Sequence, residues 1–214
     1  MKGFLIKDFK TMLQRKKFLV LYLLMAVPMA YAFNYTFCIY YFSMLAMIMA
    51  FSTLSYDSFD NGMAYLMTMP DARKNYVKGK YLFFSIVLLM SLAFSYLINA
   101  VASIAKYNRL VMAAESIMIL PIFLLFCSIM VPIMLKFGAE KGRLIFAFGF
   151  GCISVAAVAI GSIAPLETSL ESGIMKVQGN LSPENAFIAF IIVAILGFVA
   201  SLFISIKIMK TKEF

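Results

Sequence analysis

Residues 73–105 read RKNYVKGKYLFFSIVLLMSLAFSYLINAVASIA. Four of the first eight are Lys or Arg, and none of the following 25 carries a charge. An uncharged run of that length crosses the ~30 Å hydrocarbon core of a bilayer as a helix, and its basic flank marks the side that stays inside. The helical pattern opens at Ala72 and continues to Ala105, about 50 Å at 1.5 Å per residue. Its first turns, carrying Arg73, Lys74 and Lys78, therefore project beyond the core.

Working outward, five further apolar stretches of spanning length lie at roughly 18–34, 37–54, 114–135, 144–164 and 186–206. The cations alternate between the connections. Lys2, Lys7, Lys10, Arg15, Lys16 and Lys17 precede the first stretch, Lys136, Lys141 and Arg143 separate the fourth from the fifth, and Lys207, Lys210 and Lys212 follow the last. With the 73–80 group, 16 of 19 basic residues fall on one side, against Lys106, Arg109 and Lys176 on the other. The expected fold is all-α and polytopic, with six transmembrane helices, both termini cytoplasmic, and a single domain over residues 1–214.

Composition excludes several functions. A hydrophobic fraction of 64% and a mean hydropathy of +0.95 lie outside the range of soluble domains. The net charge of +9 sits at membrane borders, where anionic lipid accounts for it, so no nucleic acid is expected. The chain has no histidine, which removes His-based catalysis and most zinc sites. Cys38, Cys127 and Cys152 show no metal-ligand spacing and read as small packing residues. No ionisable residue lies deep in a span, as ion-coupled transport requires, and no phosphate loop ends in Gly-Lys-Ser/Thr. Any ATP and Mg must belong to a partner, and the chain itself is not expected to be an enzyme or to hold a cofactor or metal. Ala30-Tyr31-Ala32 imitates a signal-peptidase site, but the long amphipathic segment before it points to an uncleaved first span.

Residues 1–17 form an interfacial helix. Leu5, Ile6, Phe9, Met12 and Leu13 cluster on one face, and Lys7, Lys10, Arg15 and Lys17 on the other. Tyr31, Tyr35, Tyr40 and Tyr41 crowd the outer hairpin, where aromatic anchoring is the default and a lining for an apolar substrate the alternative. Between the second and third stretches, Asp60 or Asn61 caps a short helix that Pro70 ends. Met63, Leu66 and Met67 recur on one face of it, and such a face must bury against something. Asp71 is a second N-cap. Small residues at Ala147, Gly151, Ser154, Ala157 and Gly161, and at Ala194, Gly197, Ser201 and Ser205, mark close helix packing.

Asp60 to Tyr81, with its Leu66–Pro70–Arg73-Lys74–Val77–Lys80-Tyr81 pattern, and the basic helix opening Met1-Lys2-Gly3-Phe4-Leu5 together resemble the permease subunits of type-two ABC exporters. The resemblance is to their small bacterial branch and covers the full chain. It implies an elbow helix at 1–17, with Leu5, Phe9, Met12 and Leu13 on its apolar face, and a cytoplasmic coupling helix at 61–69. Asp60, Asn61, Met63, Leu66, Met67 and Met69, with Arg73 and Lys74, would then contact cytoplasmic ABC ATPase subunits. It further implies pairing with a second permease, as homodimer or heterodimer, in a bacterial plasma membrane. The exported substrate would be hydrophobic or amphipathic, and the chain is similar to permeases for phenol-soluble modulins, with antimicrobial peptides also handled in the branch. The rival readings are a membrane sensor or assembly subunit and a secondary transporter.

Overall fold

The computed structural model describes residues 2–17, 20–22, 24–25, 28, 35–58, 62–68, 71–107, 119–161 and 183–212. Seven helices are bounded among them: α1 (Lys2–Leu13), α2 (Tyr35–Ser58), α3 (Gly62–Met67), α4 (Ala72–Tyr107), α5 (Ile119–Phe137), α6 (Ala139–Gly161) and α7 (Pro183–Thr211). Four runs within α2, α4, α5 and α7 are long and apolar enough to cross a membrane. The 23 residues of α6 overlap the fifth expected stretch, starting five residues before it. Most of the first, 18–34, lies outside the described residues, as does the 165–182 loop; Val20–Tyr22, Leu24, Met25 and Pro28 are helical.

Long apolar segments form helices here because a helix satisfies most backbone groups within itself, and where Pro132 leaves the Ser128 carbonyl without its N–H partner a neighbouring helix supplies one. α4 is 36 residues long, two beyond the expected end, and is the hub: it packs on α1, α2 and α7. α5 packs along α7 and against α6. The small-residue face of α7 seats this contact. Ala194, Ser201 and Ser205 are buried, the Ser201 hydroxyl donates to the Ser128 carbonyl at 2.5 Å, and the Tyr81 hydroxyl lies 2.6 and 2.8 Å from those of Ser201 and Ser205. The α6 stripe differs. Ala147 and Gly151 are exposed. α6 approaches α5 closely at Gly142, where a Cβ would stand 2.8 Å from Met134 Cα.

Two backbone positions turn the chain at the basic end. Gly138, at φ +86°, ends α5 in the left-handed region that glycine adopts freely, and its carbonyl accepts the Gly142 N–H at 2.8 Å. Asp71 also lies left-handed, at φ +53°, while its carbonyl accepts the Asn75 N–H at 3.1 Å. It caps α4 through its main chain, in a conformation Asp tolerates better than most residues.

Interhelical contacts gather the basic segments at one end. The Arg73 guanidinium donates to the Lys210 carbonyl at 2.5 Å, Lys212 Nζ donates to the Leu135 carbonyl at 2.7 Å, and Arg143 donates to the Ser55 hydroxyl. The start of α4 thus lies beside the end of α7, and the ends of α2 and α5 beside the start of α6. This is the antiparallel order that alternating charge demands.

Candidate functional site

α2 runs one turn past its expected end, to Ser58, and this carries Asp57 to the start of α4. There it meets Lys80, Tyr76 and the first helix. Lys80 Nζ lies 2.8 Å from Asp8 Oδ1, 2.7 Å from Asp57 Oδ2 and 3.0 Å from Thr53 Oγ1, so its three donors are all engaged. The Tyr76 hydroxyl donates to Asp57 Oδ2 at 2.8 Å. Lys7 pairs with Asp57 and lies 3.3 Å from Asp8. Lys80, Asp8 and Asp57 are buried, and two cations face two anions. Neutrality and complete hydrogen bonding are what make such burial tolerable.

This quartet rotates α1 from its expected orientation. Phe4, Leu5, Phe9 and Met12 pack on the core beside buried Asp8, and Phe9 meets Phe83 edge-on at 5.0 Å. Ile6 and Leu13 stand 67% and 61% exposed, so Leu13 is not among the contacts of the elbow with the core cluster. Lys7 turns inward rather than to solvent, because Asp57 outweighs the apolar moment of the helix. The ionic partners carried one sequence signal: Asp8 and Asp57 are acids amid a border otherwise rich in Lys and Arg.

α3 is six residues long, from Gly62 to Met67, within the expected 61–69. Asp60, Asn61 and Met69 lie outside the described residues. Met63, Leu66 and Met67 pack partly against the chain's own core, and Met63 and Ala64 close a 220 Å³ pocket with Met134, Leu135, Ala139 and Lys212. The apolar face expected to wait for a partner is therefore already half-used, because α3 folds back beneath the α5–α6 turn. Gly62 permits this, since a Cβ there would sit 3.1 Å from the Asp57 carbonyl. What α3 presents outward is Tyr65, 72% exposed, beside Thr68. Arg73 is occupied at the end of α7, while Lys74 is exposed. Burial pulls the Lys212 ammonium below its ordinary value.

The tyrosines proposed for a substrate path do not converge. Tyr31 lies outside the described residues, and Tyr35 opens α2 with its side chain undescribed. Tyr40 packs on the main core, and Tyr41 stacks on Phe37 at 6.1 Å beside Cys38 and Phe42. An apolar groove lies elsewhere. A groove of about 620 Å³ between α2, α5 and α6 is walled by Met44, Met47, Met49, Met130, Phe123 and Phe126. Arg15, Glu140 and Arg143 stand at its basic end. The Arg15 guanidinium covers the Tyr56 ring at 4.4 Å. Methionine is the side chain best suited to an irregular, adaptable wall. Its abundance was legible in the sequence, but not its convergence. Among the described residues no cluster of three or more His, Cys, Asp or Glu could hold a metal.

Residues 3–210 match the ABC-2 family transporter proteins, and the chain belongs to that family. No curated protein and no solved structure matches it. It is an all-α, multi-pass membrane transporter protein whose match is to a non-catalytic permease, and ABC-2 proteins typically pair with ATPase subunits.

Proposed function

We propose that this chain is the permease of an ATP-driven exporter in a bacterial plasma membrane, with six spans and the basic end in the cytoplasm. Two permeases pair, and cytoplasmic ATPase subunits dock on α3, the coupling helix. The observation that carries this reading is the placement of Tyr65. It is a large, exposed aromatic on a short helix held between the end of α2 and the start of α4, where a partner's push would reach both. The absence of a phosphate loop in the sequence assigns hydrolysis to that partner. The substrate is hydrophobic or amphipathic, such as a phenol-soluble modulin or antimicrobial peptide. The methionine-walled groove with a charged basic end supports this class, because it offers apolar surface for one face and ions for the other.

The test is reconstitution with the candidate ATPase in proteoliposomes. Amphipathic peptide should stimulate ATP hydrolysis and be transported. An ATPase that binds the permease yet shows no response to any amphiphile would leave a scaffold, not an exporter.

A further inference from the structure

The methionine-walled groove ends in three charged side chains, and among the described residues none of them is paired with an ion of opposite sign. Arg143 donates to the Ser55 hydroxyl, and the Arg15 guanidinium lies 4.4 Å from the centroid of the Tyr56 ring. Both partners are neutral. Glu140 lines the same groove one turn before Arg143 on α6, yet it has not closed on either arginine. The reason is anchorage. Ser55 and Tyr56 are consecutive in α2, so one turn of that helix holds guanidinia that arrive from just beyond α1 and from the start of α6. Elsewhere at this end, Lys7 and Lys80 are matched by Asp57 and Asp8.

The rest of the groove is apolar and open along one side. Met44, Ile48 and Ser55 follow one another at four and seven residues, which puts them on one face of α2. Met44 and Ile48 are 57% and 51% exposed, while Met47, Phe123 and Met130 are buried in the groove wall. From Met44 to Ser55 the helix rises about 17 Å, roughly half the ~30 Å hydrocarbon core. A molecule seated there has an apolar body about one leaflet long and an end that meets two guanidinia. The planar guanidinium fork matches the oxygens of a carboxylate or phosphate. In an unmodified peptide at neutral pH, the only such group is a carboxylate.

We propose that the charged end of this groove is a carboxylate-binding subsite, with Arg143 and Arg15 as the residues that select the substrate by its charge. The proposal rests on the reading of the groove as the substrate site. The substrate is an amphipathic peptide that sets one carboxylate, terminal or side-chain, on the two guanidinia and lays apolar surface along Met44 and Ile48. Ser55 and Tyr56 hold the two forks in place before it arrives, so little side-chain freedom is lost on binding. Glu140 repels a second carboxylate and limits the subsite to one anion.

The experiment is photolabelling of the full chain in phosphatidylcholine nanodiscs. The probe is a short N-acetylated apolar peptide carrying a photoreactive leucine, made with a free C-terminal carboxylate and again as the C-terminal amide, so that the two differ in that charge alone. The acid should label the α2, α5 and α6 walls with an apparent affinity about tenfold or more above the amide, the worth of a charge-assisted hydrogen bond. Arg143→Gln should weaken the acid about fivefold or more and leave the amide unchanged, a split that a merely structural loss would not produce. Lys141→Gln, an exposed charge on α6 outside the groove lining, should keep the preference. Should Arg143→Gln fail to fold, Glu140→Gln serves instead and should strengthen acid binding about twofold or more, because a like charge leaves the subsite. Equal wall labelling by acid and amide would overturn the subsite and leave the groove as the substrate site, whereas no wall labelling by either would remove both. Equal losses in Lys141→Gln and Arg143→Gln, or a folded Glu140→Gln without the gain, would also overturn it. So would suppression of the acid alone by phosphatidylglycerol in the disc, which would give the guanidinia to a lipid phosphate.

Discussion

Lys80 Nζ lies 2.8 Å from Asp8 Oδ1 across 72 residues of sequence, and both side chains are buried. The pair welds the first helix to the hub helix, and Asp57 and Lys7 complete a neutral set around it. The junction therefore depends on charge balance more than on any single contact.

Replacing Lys80 alone by Met leaves two carboxylates facing Lys7. Removing one partner of a buried pair costs about 3–5 kcal/mol. The double variant Asp8→Asn/Lys80→Met returns the set to a neutral Lys7–Asp57 pair and should be more stable than Lys80→Met alone. Thermal unfolding in detergent reads this directly. Additive losses would show that the four groups do not act as one unit.

Gly142→Ala should destabilise the α5–α6 hairpin by about 1–3 kcal/mol, because the new methyl meets the backbone of Met134 rather than a side chain able to swing away. Gly138→Ala should cost about 1 kcal/mol by its φ alone, since the space around it is open. A Gly142→Ala protein with the melting temperature of the parent would refute the close approach.

Tyr65→Ala should leave the permease's own stability unchanged and weaken ATPase retention in a pull-down by tenfold or more, as an aromatic anchor at an interface does. Leu66→Glu behaves differently. Leu66 packs on the chain's own core, so this variant should lower the melting temperature of the isolated permease as well. If Tyr65→Ala retained the ATPase fully, α3 would not be the docking helix.

Sidedness is checked with single cysteines in a background where Cys38, Cys127 and Cys152 are replaced. Ser58 and Lys141 are exposed at the same end of the molecule, so Cys at either position should escape an impermeant reagent applied to intact cells. Cys at Ser172 should react. Labelling that differs between positions 58 and 141 would break the proposed topology.

Element boundaries were the most legible part of this chain. A stop at Pro70, a cap at Asp71 and an apolar run of fixed physical length set the ends, so 72–105 in sequence became Ala72–Tyr107 in structure. The serine-rich face of α7 was legible too, because small residues at helical spacing have one common use in lipid. Partners across helices were not. Periodicity assigns a face to each helix but cannot say which face wins when an ion pair competes with it, and so α1 turns Lys7 inward and Ile6 out. Spacing likewise showed that Leu66 and Met67 needed burial, without showing that their own chain supplies part of it. The groove walls combine α2, α5 and α6, a convergence set by tertiary packing alone.

The 72-residue gap between Asp8 and Lys80 also sets an order of assembly. A ribosome adding ~5–20 residues per second makes Asp8 about 4–14 s before Lys80. During that interval the first helix has a carboxylate in place and no hub to bury it against. It must wait at the membrane surface, held by its lysines and outward-facing Ile6 and Leu13, until the third predicted span arrives. Nascent chains stalled before residue 80 should therefore leave the first helix open to protease, and chains stalled well after it should not.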